Sequence, residues 1–305
     1  MNASRADRSP RIASGDTAPC RPLVLVHGFL GSPDDWSAFE SALEQIPQAP
    51  PTVRADLRTA AQELIAAGTT RPTLPQLACA LLGSLRRDPR LRGGFDVVGY
   101  SMGGRVALEW LVGQGESQEL RLDIRLLLAS AQPGIEDDAE RARRASVDAH
   151  LAQRLAEIDA AADGAKRSAC ISSLLADWYS MPMFTPLAST RAFDDVLKRR
   201  REDLESDGIA RCWSAIVAGC SPGTNESRWH TLEAEGEACM VVTGELDARY
   251  FAVVKRSAHM GIATRVIKDA GHALPIEQPE ALARLAAAWA VPLGRTLAVH
   301  GTDIA

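Results

Sequence analysis

Short runs of apolar, β-branched residues alternate with amphipathic segments through the first part of the chain. The apolar runs predict buried strands of a parallel sheet, and the amphipathic segments predict helices between them. We predict strands at 22–27, 52–57, 95–99 and 124–129, and helices at 34–46, 74–87 and 102–112. This alternation predicts right-handed crossovers and a sheet that is covered by helices on both faces.

The strand–helix rhythm stops after the fourth predicted strand. From 133 to 230 the pattern is helical only, with predicted helices at 137–158, 165–179, 190–204 and 209–218. Strands then return at 239–243 and 264–267, followed by a last helix at 279–290. We therefore predict one α/β core (21–132 and 231–295) that carries a helical cap (133–230), with a disordered extension (1–20) and a peripheral tail (296–305).

Composition narrows the functional classes without choosing one. Apolar residues make up 46% and charged residues 24% of the 305 residues, a balance typical of globular proteins. The net charge of −5 gives no reason to expect nucleic acid as a partner. No stretch approaches the roughly 20 apolar residues of a membrane span. Residues 1–20 lack the apolar run of a secretory signal, so we expect a cytoplasmic protein. The sequence leaves the oligomeric state open, and we favour a monomer.

The cysteines and histidines give no sign of a metal site. The six cysteines are scattered, and neither they nor the histidines show metal-ligand spacing. We expect reduced thiols, no metal and no cofactor.

The strongest chemical motif is Gly99-Tyr100-Ser101-Met102-Gly103, which fits the pattern G-x-S-x-G. It follows a predicted strand and precedes a predicted helix, as a nucleophile elbow requires. A serine hydroxyl becomes reactive only when a neighbouring base takes its proton. Ser101 is therefore the predicted reactive residue.

His272 is the predicted base, because it lies in a loop between the last predicted strand and the last helix. His27 more plausibly supports its own turn, and the other four histidines lie in helical or terminal contexts. The imidazole needs an anion to fix its tautomer. Asp247, directly after the strand at 239–243, is the predicted partner, with Glu245 as the alternative. The order Ser, Asp, His is the one found in α/β-hydrolases.

Negative charge that develops during the reaction needs backbone donors placed in advance. The N–H of Met102, at a helix N-terminus, is one candidate. Phe29, in the His27-Gly28-Phe29-Leu30-Gly31 turn after the first strand, is the other, although these glycines would also serve a plain turn.

These motifs together resemble α/β-hydrolase-fold proteins, and most of all the 2-succinyl-6-hydroxy-2,4-cyclohexadiene-1-carboxylate synthase family of menaquinone biosynthesis. The sharper likeness is in the cap. Pro133-Gly134-Ile135 with Glu140-Arg141-Ala142-Arg143-Arg144 resembles that family's P-G-L…E-R-A-x-R, and Ala176-Asp177-Trp178-Tyr179 with Pro182 and Phe184 resembles its D-W-Y-x-x-P-x-F. Arg201…Gly208-Ile209-Ala210 resembles its R…G-L-A segment.

The resemblance implies a lyase that eliminates pyruvate from a polycarboxylate, with the triad serine as the base. It places Arg105, Arg144 and Arg201 at carboxylate-binding positions, and Tyr100 and Trp178 in the pocket wall. Arginine suits this task because it is always charged and binds both carboxylate oxygens. From the residues alone, Arg105 could instead form a buried structural ion pair, and Arg144 and Arg201 could lie on solvated helix faces.

Two segments depart from the family pattern and leave the substrate open. Where the family has D-x-P-G-H-G, this chain reads Asp56-Leu57-Arg58-Thr59-Ala60, and a glycine-threonine-glycine stretch is replaced by Gly219-Cys220-Ser221-Pro222-Gly223-Thr224. A serine hydrolase of esters or thioesters is the alternative function, since it would use the same triad to form an acyl-enzyme. A binding protein without catalysis is a third hypothesis.

Overall fold

A single parallel sheet forms the centre of the molecule. The computed structural model describes residues 21–112 and 123–290 and contains a six-stranded parallel sheet in the order β2-β1-β3-β4-β5-β6. Its strands are β1 Leu23–Val26, β2 Thr52–Ala55, β3 Phe95–Tyr100, β4 Ile124–Ala129, β5 Cys239–Gly244 and β6 Ala263–Ile267. The predicted fold class, a parallel sheet flanked by helices, is confirmed. The predicted extension (1–20) and tail (296–305) lie outside the described residues.

Thirteen helices are present among the described residues. They are α1 Ser37–Leu43, α2 Leu57–Ala66, α3 Leu74–Leu85, α4 Met102–Glu109, α5 Asp138–Ala160, α6 Gly164–Tyr179, α7 Thr185–Ala188, α8 Phe193–Glu205, α9 Ile209–Cys220, α10 Trp229–Ala234, α11 Ala248–His259, α12 Leu274–Glu277 and α13 Pro279–Ala290. Short 3₁₀ turns occur at Pro33–Trp36, Pro89–Leu91, Pro182–Phe184 and Gly236–Ala238.

Successive side chains of each central strand enter two different apolar cores. Val24 and Val26 of β1 pack on the face that α2, α3 and α4 cover, whereas Leu23 and Leu25 pack on the face that α1 and α13 cover. All four side chains are fully buried. Burying an aliphatic side chain of this size contributes about 1.5–3 kcal/mol. The sheet therefore has no solvated face at its centre, which accounts for the lack of alternation in the sequence.

The second predicted strand is too long at its C-terminus. Apolar residues alternate up to Leu57, but β2 ends at Ala55. The Asp56 carboxylate accepts a hydrogen bond from the Arg58 N–H at 2.9 Å and so caps α2. This cap satisfies a helix donor that would otherwise have no partner, and Leu57 begins a helix that the sequence pattern did not predict.

The observed ends of other elements also differ from the predicted ends. The predicted helix 34–46 is a 3₁₀ turn (Pro33–Trp36) followed by α1, and the predicted helix 102–112 ends at Glu109. Helices α7, α10, α11 and α12 were not predicted. The remaining predicted strands and helices are present, with ends that differ by no more than a few residues.

Between β4 and β5, where every residue is described, the chain forms helices and turns and no strand. We call residues 133–230 the helical insertion. Its α5 packs on α9, and α9 packs on α2 of the core. The ring of Phe29, in the turn after β1, lies 4.8 Å from the ring of Trp178 and 5.2 Å from that of Trp213. The helical insertion therefore sits against the turn that follows the first strand.

Within residues 21–112 and 123–290, every helix is too short or too polar to cross a membrane. The same residues contain no group of three or more histidine, cysteine or acidic side chains arranged to hold a metal ion.

Candidate active site

Ser101 lies at a tight turn between β3 and α4. Its backbone is in a strained region, with φ 52° and ψ −114°, and its N–H donates to the Ala129 carbonyl at 2.9 Å. A Cβ at Gly103 would lie 2.3 Å from the Val26 carbonyl oxygen, so only glycine lets α4 approach β1 this closely. The glycine of the motif thus permits the turn that leaves Ser101 at the carboxyl end of the sheet.

His272 and Asp247 reach Ser101 from loops at the same end of the sheet. His272 Nε2 lies 3.0 Å from Ser101 Oγ, and His272 Nδ1 lies 2.8 Å from Asp247 Oδ2. Asp247 follows β5 and caps α11 by accepting the Tyr250 N–H at 3.3 Å. The three predicted catalytic residues are thus brought together as a hydrogen-bonded Ser-His-Asp triad. The alternative acid, Glu245, instead accepts the N–H of Asp269.

Glu277 holds the histidine loop in place, a role that sequence reasoning missed. Its carboxylate accepts the N–H groups of Gly271 and Ala273, the two neighbours of His272. Burial raises the pKa of Glu277, whereas these two backbone hydrogen bonds oppose that shift. Glu277 lies only five residues after His272, but nothing in the sequence distinguishes it from an ordinary helix residue.

The imidazole of His272 is enclosed by aromatic rings. The rings of Tyr250, Tyr100 and Phe184 lie 4.6, 5.4 and 5.7 Å from it. This burial lowers the pKa of His272, Asp247 acts in the opposite direction, and the charge of Arg249 lowers it further. A lowered pKa keeps the ring neutral near pH 7, with Nε2 free to accept the Ser101 proton.

A cavity of about 240 Å³ opens above Ser101 between the core and the helical insertion. Both predicted backbone donors, Phe29 and Met102, line it, as do the predicted wall residues Tyr100 and Trp178. Apolar side chains of the insertion complete the wall. They are Val147, Leu151, Met181, Met183, Phe184 and Val217.

Four arginines also line this cavity, and two of them were predicted. Arg105 is buried and donates a hydrogen bond to the Cys220 carbonyl, and burial lowers the pKa of its guanidinium. Arg144 Nε lies 2.8 Å from Asp148 Oδ2. Arg143 and Arg249 were not predicted. The acids Asp148 and Glu140 line the same cavity, so the charged side chains around it carry a net positive charge.

The loop that departs from the family pattern anchors both predicted arginines. Cys220 provides the carbonyl that Arg105 contacts, and Ser221 Oγ donates to Asp148 at 2.6 Å. Asp148 in turn holds Arg144. The altered sequence at 219–224 therefore still supports the arginine wall.

The structure does not bring Arg201 to this cavity. Arg201 lies on α8, lines a separate pocket and donates to Ser172 Oγ at 2.8 Å. Its neighbour Arg200 is buried in an ion pair with Asp35 at 2.6 Å. Adjacent helix positions point about 100° apart, so the run of three arginines cannot aim all its members at one site. The expectation that Arg201 faces the substrate is therefore corrected.

The chain matches the Alpha/beta hydrolase family over residues 23–285. The chain belongs to this family. The match includes all six strands and the three residues of the triad.

Two relatives of known name are similar to this chain over most of its length. The chain is 25% identical over 261 residues to 2-succinyl-6-hydroxy-2,4-cyclohexadiene-1-carboxylate synthase of Serratia proteamaculans, covering 86% of this chain and 89% of that one. Its Escherichia coli counterpart is 26% identical, with 84% and 88% covered. These matches confirm the resemblance that the motifs indicated.

Two solved structures show the same fold. MenH from S. aureus aligns with a TM-score of 0.67 at 19% identity, over 90% of this chain and 94% of that one. A malate-bound esterase from Thermogutta terrifontis aligns with a TM-score of 0.56 at 19% identity, over 88% and 89%. At this identity the alignments support the fold alone, since one fold hosts many reactions.

Proposed function

We propose that this enzyme is a lyase of menaquinone biosynthesis. It eliminates pyruvate from 2-succinyl-5-enolpyruvyl-6-hydroxy-3-cyclohexene-1-carboxylate and leaves 2-succinyl-6-hydroxy-2,4-cyclohexadiene-1-carboxylate. The observation that carries the proposal is the wall of arginines, which includes Arg105 and Arg144, beside a hydrogen-bonded Ser-His-Asp triad. Relatives that are named for this reaction support the same assignment.

The triad supplies the base in this proposal. His272 Nε2 accepts the proton of Ser101 Oγ, and Asp247 stabilises the imidazolium that forms. The Ser101 oxygen then removes a ring proton. The electron pair of the C–H bond at ring C2 forms the C2=C3 double bond, the existing C3=C4 pair moves to C4=C5, and the C5–O bond to the enolpyruvyl group breaks. The departing enolate takes up the proton held by His272 at its methylene carbon and becomes pyruvate. A bound substrate that displaces water from the cavity makes such a base stronger, because solvent then does not stabilise the alkoxide.

The remaining cavity residues bind and orient the substrate. Arg105 and Arg144 hold carboxylates, and Tyr100 and Trp178 pack against the ring. The N–H groups of Phe29 and Met102 stabilise negative charge on oxygen during the reaction. The helical insertion (133–230) acts as the cap that closes the cavity above Ser101. No step requires a cofactor.

A serine hydrolase is the second candidate, and one observation favours it. Part of the cavity wall is apolar and includes Met181, Met183 and Phe184. Such a wall would suit the acyl chain of an ester or thioester, which Ser101 would attack to form an acyl-enzyme. The arginines that line the same cavity would then have no ligand, which is why the lyase is preferred.

Replacing Arg105 distinguishes these two functions. In Arg105→Met we expect the KM for pyruvate release to rise, because a desolvated carboxylate loses its partner at a cost on the order of 2–5 kcal/mol. Hydrolysis of a nitrophenyl ester, which carries no carboxylate, serves as the comparison reaction, and a melting curve checks the fold. A variant that only unfolds more easily, with an unchanged KM, would show that Arg105 is structural.

A further inference from the structure

Arg249 lines the cavity above Ser101, whereas Arg201 does not. We propose that Arg249 binds a substrate carboxylate at the mouth of the cavity, and that this carboxylate displaces Glu140 from Arg249. The inference rests on the proposed function, because it requires a ligand with several carboxylates.

The position of Arg249 places it between the triad and solvent. It lies in the first turn of α11, two residues after Asp247, and its neighbour Tyr250 contacts the His272 ring. Its side chain is 46% exposed, yet it lines the cavity together with Ser101 and His272. Its charge is close enough to affect the pKa of His272. Its guanidinium is therefore within reach of a ligand that occupies the cavity and remains partly open to solvent.

The present partner of Arg249 is held weakly. The distance from Arg249 Nη2 to Glu140 Oε1 is 3.7 Å, longer than a hydrogen bond, and the Glu140 side chain is 43% exposed. Exposed ion pairs of this kind contribute little free energy. A carboxylate that binds both guanidinium nitrogens makes stronger contacts than this single long one. Glu140 can therefore be replaced by a substrate group.

Arg105 and Arg144, the two predicted arginines of the cavity, do not have this freedom. Arg144 is fixed by Asp148, which is itself buried and bonded to Ser221. Arg105 is buried and bonded to the Cys220 carbonyl. These two form a preorganised inner wall, whereas Arg249 forms an outer contact that can change partner. Together the three arginines match a ligand that carries three carboxylates.

Isothermal titration calorimetry with tricarballylate, a small tricarboxylate, tests the inference without any turnover. We expect Arg249→Gln to weaken binding about tenfold or more, because a charge-assisted contact is lost, and Arg249→Lys to weaken it less. Glu140→Gln should strengthen binding about threefold, because it removes the competing anion. Arg256→Gln is the matched control. Arg256 lies on the same helix and pairs with Glu136 at 2.6 Å, but does not line the cavity, so affinity should stay within about twofold of wild type.

Three results would overturn the assignment. These are an Arg249→Gln affinity equal to that of wild type, a loss of affinity in Arg201→Gln that matches or exceeds it, and an absence of tricarballylate binding to the wild-type protein. Melting curves of all variants exclude unfolding as the cause. Because the readout is binding, the inference can stand if pyruvate release fails, and it can fail while pyruvate release stands.

Discussion

Ser101→Ala is expected to lose roughly 10²- to 10⁴-fold in the rate of pyruvate release, the range by which a positioned base accelerates proton transfer. The substitution removes the oxygen that lies 3.0 Å from His272 Nε2 and leaves the imidazole without a group to deprotonate. It keeps the Cβ that already occupies the strained turn, so the backbone at φ 52° needs no further adjustment. Stability and the KM should change little.

Ser130→Ala provides the matched control for this experiment. Ser130 also has a positive φ, of 47°, and follows the neighbouring strand β4, but its buried side chain does not line the cavity. We expect its turnover to stay near wild type. Steady-state kinetics with both variants make the comparison. A rate within tenfold of wild type in Ser101→Ala would show that another group removes the ring proton.

Arg200→Met is expected to lower the free energy of unfolding by about 3–5 kcal/mol, because it leaves Asp35 charged and buried without its partner. The two side chains are only 5% and 3% exposed, and their ion pair joins α8 of the helical insertion to the 3₁₀ turn Pro33–Trp36. Burial disfavours the charged guanidinium, but the charge and hydrogen bond of Asp35 outweigh it and raise the pKa of Arg200. Asp35 also accepts the Ser32 N–H at 3.2 Å, so the pair steadies the segment next to Phe29.

Urea denaturation measures the free energy of unfolding of Arg200→Met. Lys198→Gln is the control variant. Lys198 lies on the same helix in an exposed ion pair with Glu202, with side chains 72% and 60% exposed, so we expect a change below about 1 kcal/mol. Replacing both Asp35 and Arg200 with apolar residues should recover part of the stability, since no buried charge then remains. If Arg200→Met is as stable as Lys198→Gln, the buried pair does not hold the insertion on the core.

The sequence indicated the fold and the triad because each signal there is local. Ser101, Asp247 and His272 each follow a predicted strand, and the carboxyl ends of parallel strands meet at one edge of the sheet. Strand ends were harder to predict. The alternation of Val53, Ala55 and Leu57 extended the second strand, whereas the cap formed by Asp56 ends it and begins α2.

The cavity wall could be predicted only in part, since it depends on how the insertion packs on the core. The rotation of α8 about its own axis determines which way each side chain points. Arg200 therefore pairs with Asp35, and Arg201 donates to Ser172. No pattern in the sequence near Arg249 indicates that α11 begins at the cavity mouth. Long-range packing, which the sequence pattern does not record, places these side chains.

The most direct test of the account compares two reactions of the purified wild-type protein. Pyruvate release from 2-succinyl-5-enolpyruvyl-6-hydroxy-3-cyclohexene-1-carboxylate is followed beside hydrolysis of a nitrophenyl ester. We expect pyruvate release at a kcat on the order of 1–10³ s⁻¹, the usual range for enzymes, with negligible ester cleavage. Ester cleavage without pyruvate release would contradict the account and would show that Ser101 attacks carbonyl carbon.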